Sequence, residues 1–122
     1  MPADESTAMP RRHAYFMLLQ STSAWRALDP DAQLAHHDAI LMRVFDGYPD
    51  LTLRRYESVA FAGRCSDVLW WETPDSTQFH DAVRALREAR LLGAPWFEVV
   101  DTIALVDPID EPPLLKFAAS AF

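Results

Sequence analysis

Two adjacent tryptophans inside Ser66-Asp67-Val68-Leu69-Trp70-Trp71-Glu72-Thr73 constrain this chain more than any other stretch. Aromatic and β-branched residues suit a pleated surface, and consecutive strand residues face opposite sides. Trp70 and Trp71 must therefore look in opposite directions, and Glu72 shares a face with Trp70. One ring can serve a core or cavity while the other serves a second buried surface. A chain of 122 residues makes one domain. With both sheet faces buried in so small a domain, a partner is expected.

The rest of the chain supplies the other elements. His13 to Ser21 is short and nearly continuously apolar, as a central strand with two covered faces reads. Thr22 to Pro30 is irregular and carries Trp25 and Arg26. Asp29-Pro30-Asp31 then starts a helix, with Asp29 as cap, Pro30 in the first turn and Asp31 at the positive end. That helix is expected from about Pro30 to Phe45, with Leu34, Leu41, Val44 and Phe45 as its apolar stripe and Tyr48 continuing it. His37 falls inside the stripe, and His36 outside it near Arg43. Gly47 and Pro49 stop the helix.

Leu51 to Ala60 alternates imperfectly and reads as a strand, joined through Phe61 to Cys65 to the tryptophan strand. One of its faces offers Leu51, Leu53, Arg55, Glu57 and Val59, the other Thr52, Arg54, Tyr56 and Ser58. A second helix follows from about Asp75 to Leu92, with Phe79, Ala82, Val83, Leu86 and Ala89 inward. Arg90 lies near that stripe at the negative helix end, which suits its charge. Trp96 to Val106 is the last strand. The order β-α-β-β-α-β is the ferredoxin-like plan: a four-stranded antiparallel sheet with two helices on one face. Pairing two such sheets by their uncovered faces gives a homodimer, a dimeric α+β barrel. Residues 1–12 are expected to be an N-terminal tail, 13–106 the barrel domain, and 107–122 a linker with an apolar docking tail.

Charge and composition exclude several classes. The net charge of −7 repels nucleic acid and anionic membranes, and no apolar run approaches the ~20 residues needed to cross a bilayer. The polar start has no apolar signal core, so a cytoplasmic protein is expected. Cys65 is the only cysteine, which removes an internal disulfide and a cysteine-based zinc site. The histidines lack the spacing of a metal cluster, and no phosphate-cradling glycine loop, nucleophile elbow or dinucleotide fingerprint is present. No cofactor and no metal are expected.

Arg55-Tyr56, Glu57, Ala60-Phe61, Arg64, Ser66-Asp67-Val68, Trp70-Trp71-Glu72-Thr73, Leu86-Arg87 and Phe97-Glu98-Val99-Val100-Asp101 resemble the darcynin-like family of the dimeric α+β barrel superfamily. The resemblance covers roughly Tyr15 to Val106. It implies the ferredoxin-like fold and dimerisation. Related members of the superfamily include cofactor-free monooxygenases, haem-degrading enzymes, chlorite-dismutase-type haem proteins and small cyclases or isomerases. Their ligands usually occupy a cavity between the sheet and the helices.

The candidate chemistry centres on His37, the ionisable group on the first helix's apolar stripe. An ordinary pKa of about 6.5 suits a general base or a haem ligand; the plainer reading is a core histidine with one hydrogen bond. His36 and His80 read as solvent-facing. Arg55, Glu57, Trp70 and Glu72 could share one sheet face, depending on a hairpin register that the residues leave open. Charges facing a helix-covered layer cost several kcal/mol unless paired or wet. Arg55 paired with Glu57 or Glu72 would then be a support of the barrel. As a site, Arg55 would polarise an anionic or carbonyl oxygen, Glu72 would move protons, and Trp70 would pack on an aromatic ligand. Trp70 rather than Trp71 is favoured for the pocket because Glu72 accompanies it. Tyr15 and Trp25 are candidate walls, and Tyr56 would point away from Arg55 into the dimer barrel.

The expected function is a small cofactor-independent enzyme acting by acid/base chemistry on an apolar, aromatic or polyketide-like metabolite. Oxygenation, cyclisation or isomerisation would each suit it. The alternative is a non-catalytic small-molecule-binding or interaction protein, with haem binding through His37 a third reading. A cavity of roughly 300 Å³ or more beside His37 would mark the site.

Overall fold

The computed structural model describes residues 12–59 and 64–108. The proposed N-terminal tail apart from Arg12, residues 60–63 of the expected connection, and residues 109–122 of the expected linker and docking tail lie outside the described residues. Seven elements follow in order: β1 (His13–Ser21), α1 (Ser23–Arg26), α2 (Pro30–Gly47), β2 (Thr52–Glu57), β3 (Asp67–Thr73), α3 (Ser76–Glu88) and β4 (Phe97–Val106). The sheet is antiparallel in the order β2-β3-β1-β4, the ferredoxin-like arrangement. The irregular segment before Pro30 contributes one element that its residues did not announce, the single turn α1. Thr22 caps it by accepting from the Trp25 N–H at 3.2 Å.

Local chemistry sets the helix ends. Asp29 accepts from the Ala32 N–H at 2.8 Å with Pro30 in the first turn. Asp75 caps α3 by accepting from the Thr77 N–H at 2.9 Å. This helix stops at Glu88, earlier than its apolar stripe suggests. Arg90 adopts a left-handed conformation (φ 58°), and the Leu91 N–H reaches back to the Leu86 carbonyl at 2.9 Å. The hydrogen bond turns the chain out of the helix at a cost of about 1–2 kcal/mol for a non-glycine residue there. Arg90 therefore sits beyond the helix rather than on its inward stripe.

Cross-strand partners share a face, so the register settles which side each residue sees. Tyr15 pairs with Trp71 and Leu53 pairs with Trp71; Arg55 pairs with Leu69 and Glu57 with Asp67. These residues lie on the helix-covered side with Met17 and Leu19 of β1. The core is built there, and Trp71 is fully buried among its neighbours, its ring edge-on to Phe79 at 5.3 Å. Phe16 pairs with Trp70 and Ile103, and Ala14 with Glu72 and Leu105, so these occupy the open side. Trp70 and Glu72 do share a face, as alternation requires, but it is the open face and not the helix-covered one. A bulge in β4 places Val100 between the partners of Leu18 and Leu19.

The α2 stripe also differs from the expected one. Ile40 and Val44 are its buried residues, whereas Leu34 is 60%, Leu41 39% and Phe45 76% exposed. The N-terminal half of α2 packs instead through Gln33, His36 and His37 against the α1 turn. Gln33 Nε2 donates to the Trp25 carbonyl at 3.0 Å, and the Trp25 ring meets both imidazoles edge-on at 5.2 and 4.9 Å. The insertion of Trp25 beneath the helix rotates the purely aliphatic stripe outward.

Candidate active-site cleft

A cleft of about 310 Å³ opens between the N-terminal half of α2, the α1 turn and the adjoining ends of β2 and β3. Trp25 and His37 form one wall, and Arg55, Glu57, Ser66 and Asp67 form the other. Trp25 is held from behind: Thr22 donates through Oγ1 to the Pro95 carbonyl at 2.6 Å, and its N–H donates to the Trp96 carbonyl at 3.0 Å. These bonds pin α1 to the segment that leads into β4. The buried Trp25 ring also leans on Phe97 at 4.6 Å.

The opposite wall is an ion-pair cluster. Arg55 Nη1 donates to Asp67 Oδ2 at 2.8 Å and approaches Glu57 Oε1 at 3.4 Å. Asp67 is nearly buried, with 9% of its side chain exposed, against 28% for Arg55 and 70% for Glu57. A carboxylate so enclosed needs its cation, which makes Asp67 the anchor that fixes the guanidinium. Ser66, next to it, is committed to the backbone: Oγ accepts from the Ser21 N–H at 2.8 Å and donates to the Leu19 carbonyl at 3.2 Å. Ser66 thus locks the start of β3 to the end of β1 and sets where Asp67 stands.

His37 is half-buried between these walls. Burial pushes its imidazole below the ordinary value of 6.5, the positive Arg55 pushes the same way, and Asp67 opposes them. The neutral ring, a base and hydrogen-bond acceptor, is therefore favoured at neutral pH. His36 is not solvent-facing as its position on the helix suggested. Its Nε2 lies 2.7 Å from the Leu91 carbonyl, which requires the proton on that nitrogen, and its ring packs on Trp25 and Trp96. His80 is exposed and lies edge-on to Phe79.

The predicted site residues separate into two groups. His37, Trp25, Arg55 and Glu57 meet around the cleft. Glu72, Trp70 and Tyr56 do not, because they belong to the open sheet face. There Glu72 pairs with Arg12 at 3.9 Å, Tyr56 lies 6.0 Å from Trp70 and Arg54 lies over the Tyr56 ring. Arg55 is paired with Glu57 and Asp67, not with Glu72. Tyr15 is 5% exposed core, stacked on Phe79 with ring centroids 3.6 Å apart, and burial raises its phenol above the ordinary range. Asp67 is the cleft residue that sequence reasoning passed over. Its signal was parity, since it stands two residues before Leu69 and four before Trp71 on the same strand. Among the described residues no group of three or more potential metal-binding side chains occurs, and no helix is long and apolar enough to cross a membrane.

Comparison with known proteins agrees with this architecture. Darcynin of Chromobacterium violaceum is 38% identical over 64 residues, which are 52% of this chain and 81% of that protein. A chlorite dismutase variant from Candidatus Nitrospira defluvii superimposes with a TM-score of 0.68 at 10% identity, over 98% of this chain and 51% of that one. A second variant of that enzyme gives 0.64 at 24% identity, over 97% and 52%. The chain thus spans about half the length of the solved structures it matches, and at such identities the likeness establishes the fold alone. The family model described as "Darcynin, domain of unknown function" matches residues 1–109, so the chain belongs to the darcynin family.

Proposed function

We propose that the cleft is the active site of a cofactor-independent enzyme in which neutral His37 abstracts a proton from a small, uncharged, weakly acidic ligand with an aromatic part. The supporting observation is the half-buried imidazole, biased to its neutral form, facing an Arg55 that Asp67 holds in place. Trp25 offers a wall for an aromatic ring. Arg55 supplies positive charge for the oxygen of the enolate or phenolate that forms. Asp67 and Glu57 already balance the resting charge of Arg55, so a fully anionic ligand gains little on binding. A ligand that becomes anionic by giving its proton to His37 also meets the new imidazolium charge, and stabilisation that arises only as the proton moves is what accelerates a reaction. Isomerisation, cyclisation and oxygenation of phenols or 1,3-dicarbonyl compounds all begin with such a proton loss.

Exchange of the acidic C–H of a model 1,3-dicarbonyl in deuterated water, followed by NMR, tests this reading. The protein should accelerate exchange, and His37→Ala should remove most of the acceleration while the chain stays folded. Ligand binding without accelerated exchange would leave a binding protein using the same cleft. Haem ligation through His37 fits the residues less well. A tetrapyrrole needs flat apolar contact, whereas the facing wall is the Arg55–Asp67–Glu57 charge cluster and the imidazole already packs against Trp25 and Phe97. The absence of a Soret band after haem addition is the expected result.

Homodimerisation belongs to the same reading. Phe16, Leu18, Val68 and Trp70 line the open sheet face with Ile103 and Leu105, which are 44% and 43% exposed. A second copy packed sheet to sheet would take this surface out of water. Light scattering on the purified chain measures it directly.

A further inference from the structure

A third surface belongs to neither the cleft nor the open sheet face. At the C-terminal half of α2 an apolar groove of about 400 Å³ is walled by Leu41, Met42 and Phe45 with Pro49, Leu51 and Leu53. Leu51 forms a buried floor, while Met42 is 55% and Phe45 76% exposed on the rim. Asp46 and Asp50 stand at exposed positions beside it in the chain. An apolar hollow of this size with protruding apolar side chains suits an apolar occupant.

We propose that the occupant is the chain's own segment 114–122, Leu114-Leu115-Lys116-Phe117-Ala118-Ala119-Ser120-Ala121-Phe122. Leu114, Leu115, Phe117 and Phe122 match the apolar lining of the groove. Geometry favours binding within one chain. Leu105 pairs with Ala14, Ala14 with Glu72 and Glu72 with Thr52, so β4 finishes at the same end of the sheet as the groove, although on the opposite edge strand. Three strand spacings separate β4 from β2, about 14 Å. The six residue steps from Pro108 to Leu114 reach at most about 20 Å. A stretch of that reach spans the three strand spacings at this end of the sheet, so segment 114–122 can meet the groove of its own chain.

Disulfide trapping in the full-length protein tests this. With Cys65→Ser as background, Met42→Cys and Phe117→Cys are combined and oxidised at low protein concentration. The expected result is an internal bridge in most chains, seen as a faster-migrating monomer that reverts with reductant. Leu34→Cys lies about two turns away on the same helix, and with Phe117→Cys it should stay mostly open. Equal trapping at both positions, or no bridge at position 42, would overturn the proposal. A bridge between chains would also overturn it, by assigning the groove to another copy. Without new cysteines, Phe117→Asp should raise binding of an apolar-surface dye several-fold while circular dichroism is unchanged. Unchanged dye binding in a folded variant counts against the proposal.

Discussion

Trp70 and Trp71 are neighbours in the chain and occupy opposite environments. Trp71 is fully buried under α3, in a row with Tyr15 and Leu53. Trp70 lies on the open face between Phe16 at 5.3 Å and Tyr56 at 6.0 Å, with no helix above it. Both indole nitrogens lack a hydrogen-bond partner within the described chain. For Trp71 that is a cost accepted for filling the core. For Trp70 the indole nitrogen is enclosed too, although the ring lies on the open face, edge-on to Phe16. One face of the sheet is thus finished by its own helices, while the other is apolar and unfinished.

Substituting the two rings separately should expose that difference most strongly. Trp71→Ala should cost about 3–5 kcal/mol in urea unfolding, because it leaves a cavity in a packed core. Trp70→Ala should cost the folded chain less than half as much. Equal losses would mean that the open face is as enclosed as the core. Trp70→Glu should leave secondary structure intact and shift the protein to a monomer in light scattering; an unchanged mass would remove the sheet-to-sheet pairing.

Within the covered face, the cleft is the weak point of the core, and two smaller effects probe it. Arg55→Ala strips nearly buried Asp67 of its cation and should cost about 1–3 kcal/mol. That is less than for a fully buried pair, because Arg55 remains 28% exposed. Asp67→Asn with Arg55→Met should recover part of the loss, whereas no recovery would mean that Asp67 needs its charge for another reason. The smallest effect is the pH dependence set by His37. Its folded value lies below the unfolded one of 6.5, so the unfolded chain binds the proton more readily. Stability should therefore fall as pH drops below about 6.5 and level off once the folded imidazole also titrates. In His37→Gln this slope should flatten; an unchanged slope would assign the titration to another group.

Much of this was legible from residues alone. Alternation in β3 fixed that the two tryptophans oppose each other and that Glu72 accompanies Trp70. Asp29-Pro30 and Asp75 marked two helix starts through side-chain oxygens that satisfy free backbone N–H groups. The spacing of strands and helices then left the ferredoxin-like order as the consistent arrangement. His37, Trp25, Arg55 and Glu57 were also picked out by residue type, and the fold gathers them at one cleft.

The sign of each face was not legible, for a physical reason. Each face of β3 carries one tryptophan and one carboxylate, Trp71 with Asp67 and Trp70 with Glu72, so hydrophobicity alone does not choose between them. The choice came from long-range partners: Ser66 tied to the end of β1, and Arg55 brought opposite Leu69, within reach of Asp67. The same holds for α2, where two apolar stripes compete. Trp25, inserted from a turn distant in character from any helix signal, packs against the histidine side and leaves Leu34, Leu41 and Phe45 outside. By itself the sequence determined the elements, their order and the relative parity of neighbouring side chains, because those follow from local geometry. Only the tertiary structure decided which parity faces the helices, because that depends on which distant groups can pair with the buried charges and rings.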